Sequence, residues 1–288
     1  MYEPAAGSTK QDTEKGRLAA ALLTTFLSIL QHRCMCSSLT RYSSLVVTDT
    51  IRINKFFTRH GICSRREADR LIETGRVTIN KVVAKLGDQV SPRDVIARDG
   101  QVIAWGQTPI YIKYHKPVGV TTTSEAHVPR NIIAEIGHAE RIFPIGRLDK
   151  DSSGLILLTN DGDIVNKILR TEFGHEREYE VGLDRPFDDT FLGRMAAGVV
   201  ILGTRTRPCR TERLGPKRFR IILTEGRNRQ IRRMCQALGY RVVALHRVRI
   251  MHLTLAGLPS GAWKALTSGE KQKLLNAIQP HAEEESTP

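Results

Sequence analysis

The sequence predicts an α+β protein that is divided into a small basic domain and a larger mixed domain. Short strand patterns and capped helix patterns both occur along the chain, without an internal repeat. A Gly-Gln-Thr-Pro stretch at residues 106–109 indicates a linker between the two parts. The chain has 288 residues, 40% of them hydrophobic and 26% charged, and these values allow two domains with cores of normal size.

The chain is strongly basic, with a formal net charge of +14. An excess of positive charge favours a polyanionic partner. Because no basic amphipathic helix stands out, nucleic acid is favoured over a membrane surface. Charge alone leaves two classes open: an enzyme that acts on RNA, and a basic ribosome-associated protein without catalytic activity.

The five cysteines are odd in number and contain no Cys-x-x-Cys pair. Free thiols in a reducing cytoplasm are therefore predicted rather than a disulfide framework. His32, Cys34 and Cys36 form a single metal-like triplet, and one triplet without a second pair of ligands is too few for a zinc site. We predict neither a bound metal nor a cofactor.

Residues 1–48 differ in composition from the rest and are predicted to form a flexible N-terminal extension. Their apolar run from Leu18 to Leu30 is shorter than the ~20 residues that a membrane-spanning helix needs. No small-x-small cleavage pattern follows it, so a secretory signal is not predicted either. The polar and acidic residues 281–288 are predicted to be a disordered tail.

Residues 49–107 are predicted to form a compact basic domain that begins with two helices. The first is amphipathic, starts at Ile51 and ends at Gly61, where a left-handed cap is expected. Ser64 and Glu67 have the spacing of a capping box, in which each side chain bonds the other residue's backbone N–H at the start of the second helix.

The second half of this domain is predicted to be strands, with a hairpin turning at residues 80–81 and a further strand pair over 88–96. Residues 51–100 contain eleven Lys and Arg against six Asp and Glu, a net charge of +5. Such a surface is either a solvated helix face or a phosphate-binding face. The side chains expected to share one face are Lys55, Arg65, Arg66 and Arg70.

Residues 108–280 are predicted to form the larger domain, in which strands and helices are interleaved. The predicted strands are 110–114, 155–158, 176–181, 199–202, 219–223, 240–245 and 248–255. The predicted helices are 128–137, one that is capped by Asn160 or Asp161, 187–196, 225–238 and 267–278.

The most informative stretch is a polar turn at residues 146–154 that leads into the buried strand at 155–158. It places Arg147 two residues before Asp149, on a tight loop where the neighbouring strand holds the carboxylate stiffly. Taken alone, such an Asp-x-Asp turn is compatible with an ordinary surface turn. A calcium loop is a weaker alternative, because Asn160 stands where such a loop needs a bidentate glutamate.

Residues 146–162 resemble the catalytic-aspartate motif of the pseudouridine synthases of the RsuA/RluB/RluE/RluF type. That signature is Gly-Arg-Leu-Asp-x-x-Ser/Thr-x-Gly-Leu, three aliphatic residues, and Thr-Asn-Asp/His-Gly, and every fixed position is matched. Residues 226–234 resemble the family's Gly-x-Asn-Arg-Gln-Ile-Arg-Arg-Met motif, and the Lys-Pro-x-Gly turn at 116–119 also recurs in the family. The resemblance covers residues 50–278.

The first domain resembles the S4 RNA-binding domain, because a helix, a Ser-Arg-Arg-Glu-Ala helix and a Gly-x-Val-x-Ile-Asn hairpin follow one another. The implied architecture is an S4-type domain joined to a synthase domain with a central antiparallel sheet and flanking helices. Details such as Asp-Lys-Asp-Ser at 149–152 are more similar to the RluF branch than to the RsuA branch. The implied substrate is then a uridine of 23S rRNA.

By this resemblance the reaction is the isomerisation of uridine to pseudouridine in RNA, with the target base flipped out of its stack. Asp149 would be the nucleophile, Tyr179 the base that removes the C5 proton, and Arg232 the partner of Asp149. Arg147 would fill the space that the flipped base leaves, and Leu245 would form the floor of the uracil pocket. The residues expected to contact RNA are Arg147, Leu148, Lys150, Arg229, Gln230, Ile231 and Leu245 in the synthase domain, with Lys55, Arg65 and Arg66 in the S4-like domain.

The chain departs from the family pattern in its N-terminal extension and in Arg177, where a lysine is usual; the substitution should matter little if only the charge is needed. One alternative function is a non-catalytic RNA-binding assembly factor, and another is a synthase that acts on tRNA or 16S rRNA. The expected partner is ribosomal RNA or a pre-ribosomal particle, with tRNA as a further candidate and no membrane. The protein is predicted to be cytoplasmic and monomeric.

Overall fold

A computed structural model describes residues 50–106 and 108–279, so the predictions for the N-terminal extension and for the tail lie outside the described residues. The small domain has the following elements in chain order: β1 (Ile51–Arg52), α1 (Ile53–Arg59), α2 (Arg65–Glu73), β2 (Val77–Ile79), β3 (Val82–Val83), β4 (Gln89–Val90), β5 (Ile96–Arg98) and β6 (Gln101–Ile103). Strands β3, β2, β5 and β6 form an antiparallel sheet in that order, and β1 pairs with β4.

Two predictions for the small domain are corrected. Residues 88–96 do not form a strand pair with each other, because β4 pairs with β1 and β5 pairs with β2. Only half of the predicted capping box is present: Ser64 Oγ accepts from Glu67 N at 3.2 Å, whereas the Glu67 carboxylate pairs with Arg70. The hairpin at Asn80 and Lys81 is confirmed, with the positive φ angles of 50° and 70° that a type I′ turn requires.

The core of the small domain lies between its two helices and its sheet. Ile53, Phe56 and Phe57 of α1 are fully buried. The Phe56 ring also contacts Trp105, with ring centroids 4.6 Å apart, and Trp105 Nε1 donates to Asp94 O at 2.9 Å. The end of this domain is thereby packed onto its own core directly before the next domain begins.

The larger domain contains a central sheet that is flanked by helices. Its elements are β7 (Tyr111–Lys116), α3 (Ile132–Ile136), β8 (Phe143–Ile145), β9 (Ser153–Thr159), α4 (Asp163–Leu169), a 3₁₀-helix (Thr171–Phe173), β10 (Arg177–Leu183), α5 (Asp189–Ala196), β11 (Val200–Ile201), β12 (Thr204–Arg205), β13 (Arg210–Gly215), β14 (Arg218–Leu223), α6 (Gln230–Ala237), β15 (Val242–Ile250), β16 (Leu253–Thr254), β17 (Trp263–Ala265) and α7 (Ser268–Ala277).

The strand order of the central sheet is β13-β14-β10-β15-β9-β7-β17, with β8 paired to β9 and β16 paired to β15. All of these pairs are antiparallel except β15 with β9, which is parallel through His246 and Arg247 opposite Ser153 and Gly154. The predicted α+β class with a largely antiparallel central sheet is confirmed. The parallel pair brings the end of the Asp149 turn next to β15.

Strand β9 is buried on both faces, which explains its continuous apolar run. Leu155 and Leu157 pack into a core with α4 and α7, whereas Ile156 and Leu158 pack into a core with β7 and α3. Leu148 of the preceding turn belongs to this second core. The turn that carries Asp149 is therefore anchored on both sides by packed apolar side chains.

Several element boundaries in the larger domain differ from the predictions. The helix at 128–137 is reduced to α3, because Asn131 caps it and Gly137 ends it in a left-handed conformation. The two strands at 240–245 and 248–255 are one continuous strand, β15, followed by the short β16. Strands β12 and β13 were not predicted, since they are mostly exposed and carry no apolar alternation.

The described residues of both domains belong to one compact unit. Asn160 does not cap α4; its Oδ1 accepts from Ile110 N at 2.8 Å and its Nδ2 donates to Thr108 O at 3.1 Å. Lys55 of α1 forms an ion pair of 2.7 Å with Asp163 of α4. Within 50–106 and 108–279, no helix is both long and apolar enough to cross a bilayer.

Candidate active site

The turn between β8 and β9 carries Asp149 and is fixed by backbone hydrogen bonds. Ser152 N donates to Asp149 O at 3.1 Å and closes the turn. Thr122 Oγ1 donates to Leu148 O at 2.7 Å from the neighbouring segment. Because these bonds need no ligand, the backbone of the turn that carries Asp149 is fixed within the protein itself.

The Asp149 carboxylate faces two guanidinium groups. Its Oδ2 lies 3.2 Å from Arg229 Nη1 and 3.7 Å from Arg232 Nε. The pair with Arg232 is present as expected, but Arg229 is nearer, although the family resemblance assigned Arg229 to RNA. Asp151 lies 3.8 Å from Arg229 and 4.0 Å from Arg232, so two arginines and two carboxylates form one cluster.

Arg232 is the fixed member of this cluster, with a side chain that is 13% exposed. Its Nη2 donates to Asp151 O at 3.1 Å and to Ser152 Oγ at 3.2 Å, and its Nη1 donates to Val242 O at 3.2 Å. Its Nε is buried and has no hydrogen-bond partner among the described residues. Arg232 therefore clamps the turn to α6 and β15 and leaves one N–H free beside Asp149.

The loop before α6 is a compact turn, which corrects the prediction of a helix from residue 225. Arg229 has a left-handed backbone conformation with φ of 50°, so helical spacing from Arg233 does not give its direction. Gln230 is buried, its Oε1 accepts from Arg227 N at 2.9 Å, and its Nε2 donates to Glu225 Oε1 at 2.8 Å. The Gln230 amide thus holds the loop together, and the RNA contact expected of Gln230 stays a prediction.

Two adjacent cavities share Asp149, Tyr179 and Arg147 in their walls. The inner one, of about 90 Å³, has an apolar wall formed by Leu148, Leu223, Ile231 and Leu245. The outer one, of about 450 Å³, is lined by five arginines: Arg147, Arg177, Arg227, Arg229 and Arg247. Apolar side chains and several arginines therefore line adjacent cavities at Asp149, a combination that suits a flat base on a phosphate-bearing chain.

Tyr179 lies on β10, opposite Arg247 of β15, and lines both cavities together with Asp149. The Arg247 guanidinium carbon is 5.9 Å from the centre of the Tyr179 ring. Arg232 contacts Asp149 but is not among the residues that line the cavities. The structure therefore brings together the three residues predicted to be catalytic.

The remaining predicted RNA contacts fall into two groups. The Lys150 side chain is exposed and lines neither cavity, while its carbonyl accepts from Gly119 N at 2.7 Å. Lys55, Arg65 and Arg66 of the small domain do not line these cavities either. The small domain therefore offers a separate surface and does not complete the Asp149 site.

Two buried arginines beside Tyr179 were not among the predicted site residues. Arg177 is 6% exposed and its Nη2 donates to Ile168 O at 3.0 Å, while burial lowers the pKa of its guanidinium. Arg247 is 4% exposed and its Nε donates to Leu155 O at 2.6 Å. Arg177 therefore has a structural hydrogen bond in addition to its charge, and the small effect expected of the replacement of lysine by arginine stays a prediction. A charged residue within an otherwise strand-like pattern is the only sequence signal for either residue.

Lys116 of the Lys-Pro-x-Gly turn lies below the Asp149 turn with 0% of its surface exposed. Its Nζ donates to Ser152 O and to Pro117 O, both at 2.8 Å. Desolvation lowers the pKa of this ammonium to about 8 from 10.5, although Asp151 and Asp149 act in the opposite direction. A neutral amine can still donate both hydrogen bonds, so the turn keeps its support in either protonation state.

This lowered pKa predicts a gain in stability with rising pH. Between pH 8 and 10.5 the unfolded chain binds a proton on Lys116 that the folded chain has released, so the free energy of unfolding increases with pH in this window. We expect the increase from pH 8 to about pH 10 to be about 2 kcal/mol larger in the wild type than in Lys116→Met. Urea unfolding of both proteins at several pH values measures this difference. If the free energy of unfolding changes with pH equally in both proteins, the lowered pKa of Lys116 is contradicted.

The calcium alternative is not supported by this geometry. Asp149 and Asp151 both lie within 4.0 Å of arginine side chains, which offset their negative charge. Across 50–106 and 108–279, no group of three or more His, Cys, Asp or Glu residues is placed to hold a metal ion. A carboxylate, a phenol and fixed guanidinium groups around a recess are instead suited to nucleophilic and acid–base chemistry on a bound base.

Comparisons with known proteins agree with this site. Residues 110–237 match the family of RNA pseudouridylate synthases and residues 51–96 match the S4 domain. The chain is 49% identical over 237 residues to the dual-specificity RNA pseudouridine synthase RluF of Escherichia coli O6:H1. This alignment covers 82% of this chain and 82% of that relative. It is 33% identical over 239 residues to the ribosomal large subunit pseudouridine synthase B of Bacillus subtilis, covering 80% of this chain and 97% of that relative.

A solved crystal structure of a pseudouridylate synthase has the same fold, with a TM-score of 0.58 and 29% sequence identity over 78% of this chain and 99% of that one. The sequence matches extend across both domains and include the loops that form the Asp149 cavity. The chain therefore belongs to the RNA pseudouridine synthase family, as an enzyme that carries an S4 domain before its synthase domain.

Proposed function

We propose that this enzyme isomerises a specific uridine of the ribosomal RNA of the large subunit, the 23S rRNA, to pseudouridine. The Bacillus subtilis relative is named for the ribosomal large subunit, which favours this RNA over the 16S rRNA of the small subunit. The Escherichia coli relative is named dual-specificity. A second RNA substrate is therefore part of the proposal, with tRNA as its candidate.

The observation that carries the proposed mechanism is the convergence of Asp149 and Tyr179 on one recess with an apolar wall. In the reaction the bond between N1 of the base and C1′ of the ribose breaks, and a bond between C5 and C1′ forms. The proton on C5 leaves and N1 gains one, so the atoms balance without a cofactor. Asp149 supplies the nucleophile, which attacks C1′ or C6 or assists a glycal route, and Tyr179 accepts the C5 proton.

The arginines have separate roles in this proposal. Arg232 is buried and clamped, so it orients the Asp149 carboxylate and offsets its charge. Arg229 is 42% exposed and lies nearer to the carboxylate, so it holds Asp149 in the free enzyme and turns to a phosphate of the bound RNA. Arg147 lines both cavities and occupies the place of the flipped base in the stack.

Replacing Tyr179 by phenylalanine tests the assignment of the base. Phenylalanine keeps the ring that packs against both cores but removes the proton acceptor. We expect the rate to fall about 100- to 10,000-fold, which is the usual contribution of a general base. The measurement is the release of tritium from C5-labelled uridine in large-subunit rRNA.

A matched control removes another phenol hydroxyl from the same domain. Tyr114 is fully buried and its hydroxyl has no hydrogen-bond partner among the described residues, so Tyr114→Phe should leave the rate unchanged. A Tyr179→Phe enzyme that releases tritium as fast as the Tyr114→Phe control would exclude Tyr179 as the base.

The other parts of the proposal concern organisation. We place the domain boundaries at 49–107 and 108–280, between an extension at 1–48 and a tail at 281–288. The enzyme acts as a monomer, since Asp149, Tyr179 and Arg232 all come from one chain. Its compartment is the cytoplasm, which is consistent with the free thiols of Cys63, Cys209 and Cys235 in the described part of the chain. A non-catalytic assembly factor is not favoured, because the relatives are named synthases.

A further inference from the structure

A third cavity, of about 530 Å³, lies between the two domains and away from Asp149. One wall is formed by Lys55 of α1 and Arg65 of α2, and the other by α4 and the 3₁₀-helix that follows it. We call this cavity the interdomain groove. It is open to solvent and not a closed apolar pocket, which suits an extended polar ligand more than a small hydrophobic one.

The interdomain groove carries an excess of positive charge. Its walls contain the cations Lys55, Arg65, Lys167 and Arg170 and the single carboxylate of Asp163. Lys55 and Asp163 pair with each other at 2.7 Å, so they cancel in charge. Arg65, Lys167 and Arg170 are exposed, and each lacks an acidic partner within 4 Å among the residues of 50–106 and 108–279. Three cations therefore face the groove without an internal counter-charge.

An aromatic ring stands at the same groove. Phe173 is 47% exposed, although a side chain of its size is usually buried. Its inner face stacks on His175, with ring centroids 6.0 Å apart and planes inclined by 26°. A stacked ring with a free face beside several cations matches the way that proteins bind single-stranded nucleic acid, with bases on aromatic rings and phosphates near Lys and Arg.

Helix α4 connects this groove to the Asp149 site. Asp163, Asn166 and Lys167 line the groove, while Leu169 at the end of the same helix lines the outer cavity at Asp149. A helix of seven residues spans about 10 Å. The approach is close, because a Cβ added to Gly146 of the Asp149 turn would lie 2.9 Å from Leu169 Cδ2. One RNA strand can therefore reach both places.

We propose that the interdomain groove binds an unpaired segment of the substrate RNA that flanks the target uridine. One base stacks on Phe173, and neighbouring phosphates lie between Arg65 on one wall and Lys167 and Arg170 on the other. This inference rests on the proposed function, since it takes the ligand to be the same RNA. It assigns to the interface between the domains a preference for single-stranded RNA.

The test measures binding of a fluorescent single-stranded oligouridylate and of a fully paired RNA duplex to the full chain. Phe173→Ala should weaken oligouridylate binding about 5- to 100-fold and leave duplex binding unchanged, because only an unpaired base can stack on the ring. Phe173→Trp should restore the affinity. The double variant Lys167→Ala with Arg170→Ala should reduce the slope of log K against log salt by about 1.4, or ~0.7 for each phosphate that is no longer neutralised.

The matched control is the double variant Arg194→Ala on α5 with Lys264→Ala on β17, which removes two exposed cations from other elements. It should keep the wild-type slope of log K against log salt. The proposal is overturned if the Lys167 and Arg170 variant also keeps that slope. It is equally overturned if Phe173→Ala weakens single-stranded and duplex binding to the same extent. Pseudouridine formation by the wild type is measured separately. If the protein binds RNA as expected but forms no pseudouridine, the proposed function is contradicted, whereas the proposed RNA binding by the interdomain groove is not.

Discussion

Replacing Asp149 by asparagine is expected to reduce pseudouridine formation by about four orders of magnitude or more, because the amide has the shape of the carboxylate but is not a nucleophile. The fold should be retained. The side chain is 31% exposed, and the backbone bonds that hold its turn do not involve the carboxylate. Primer extension after carbodiimide treatment maps pseudouridine in rRNA from cells that lack the gene and carry either form.

Asp151 provides a matched control for this prediction. It is two residues away, pairs with the same two arginines at 3.8 and 4.0 Å, and is 61% exposed. It lines neither the inner nor the outer cavity. Asp151→Asn therefore removes an equivalent charge from the cluster and should retain most of the activity. If both variants restore pseudouridine to the same level, Asp149 acts only as a counter-charge and not as the nucleophile.

The Asp149 turn could be predicted from the sequence because its geometry is local. A run of turn residues followed by four aliphatic residues forms a strand that is buried on both faces in this structure, and it fixes the preceding carboxylate. The contacts of Arg229 could not be predicted in the same way. A left-handed φ of 50° at one residue redirects its side chain toward Asp149, and helical spacing holds only from Gln230 onward.

Burial explains the side-chain contacts that the sequence could not predict. Gln230, which is predicted to contact RNA, has a buried amide that bonds Arg227 N and Glu225, and Arg177 is likewise buried and donates to Ile168 O. The sequence indicates only that Lys116 belongs to a turn, whereas its side chain lies fully buried beneath Ser152. A sequence gives the residue type, but the packing of distant strands decides whether a charged group meets solvent or a backbone carbonyl.

Strand partners depend on the same long-range packing. The two strands predicted within residues 88–96 are present as β4 and β5. They do not pair with each other, because β4 pairs with β1 and β5 pairs with β2. The parallel pair of β9 with β15 joins residues separated by more than ninety positions. No local pattern encodes this pairing, although it brings the Asp149 turn against Arg247.

The parallel pair also predicts the largest effect on stability. Gly154 has φ of +111° and lies opposite Arg247, and a Cβ at this position would be 2.3 Å from Arg247 O and 2.5 Å from Arg247 N. Backbone atoms cannot move aside as a flexible side chain can, so Gly154→Ala must separate β9 from β15. We expect a loss of about 4 kcal/mol or more in the free energy of unfolding, measured by urea denaturation.

The same substitution at Gly193 should have the opposite sign. Gly193 is exposed within α5, and a Cβ there would meet nothing within 4 Å. Gly193→Ala should therefore stabilise the protein by about 0.5 to 1 kcal/mol, since alanine has the higher helix propensity. A Gly154→Ala protein that unfolds at the wild-type urea concentration would mean that β9 and β15 are not in contact at this position. The pairing that holds the end of the Asp149 turn against β15 would then be absent, and the turn would depend on its hydrogen bonds from Lys116, Thr122 and Arg232 and on the packing of Leu148.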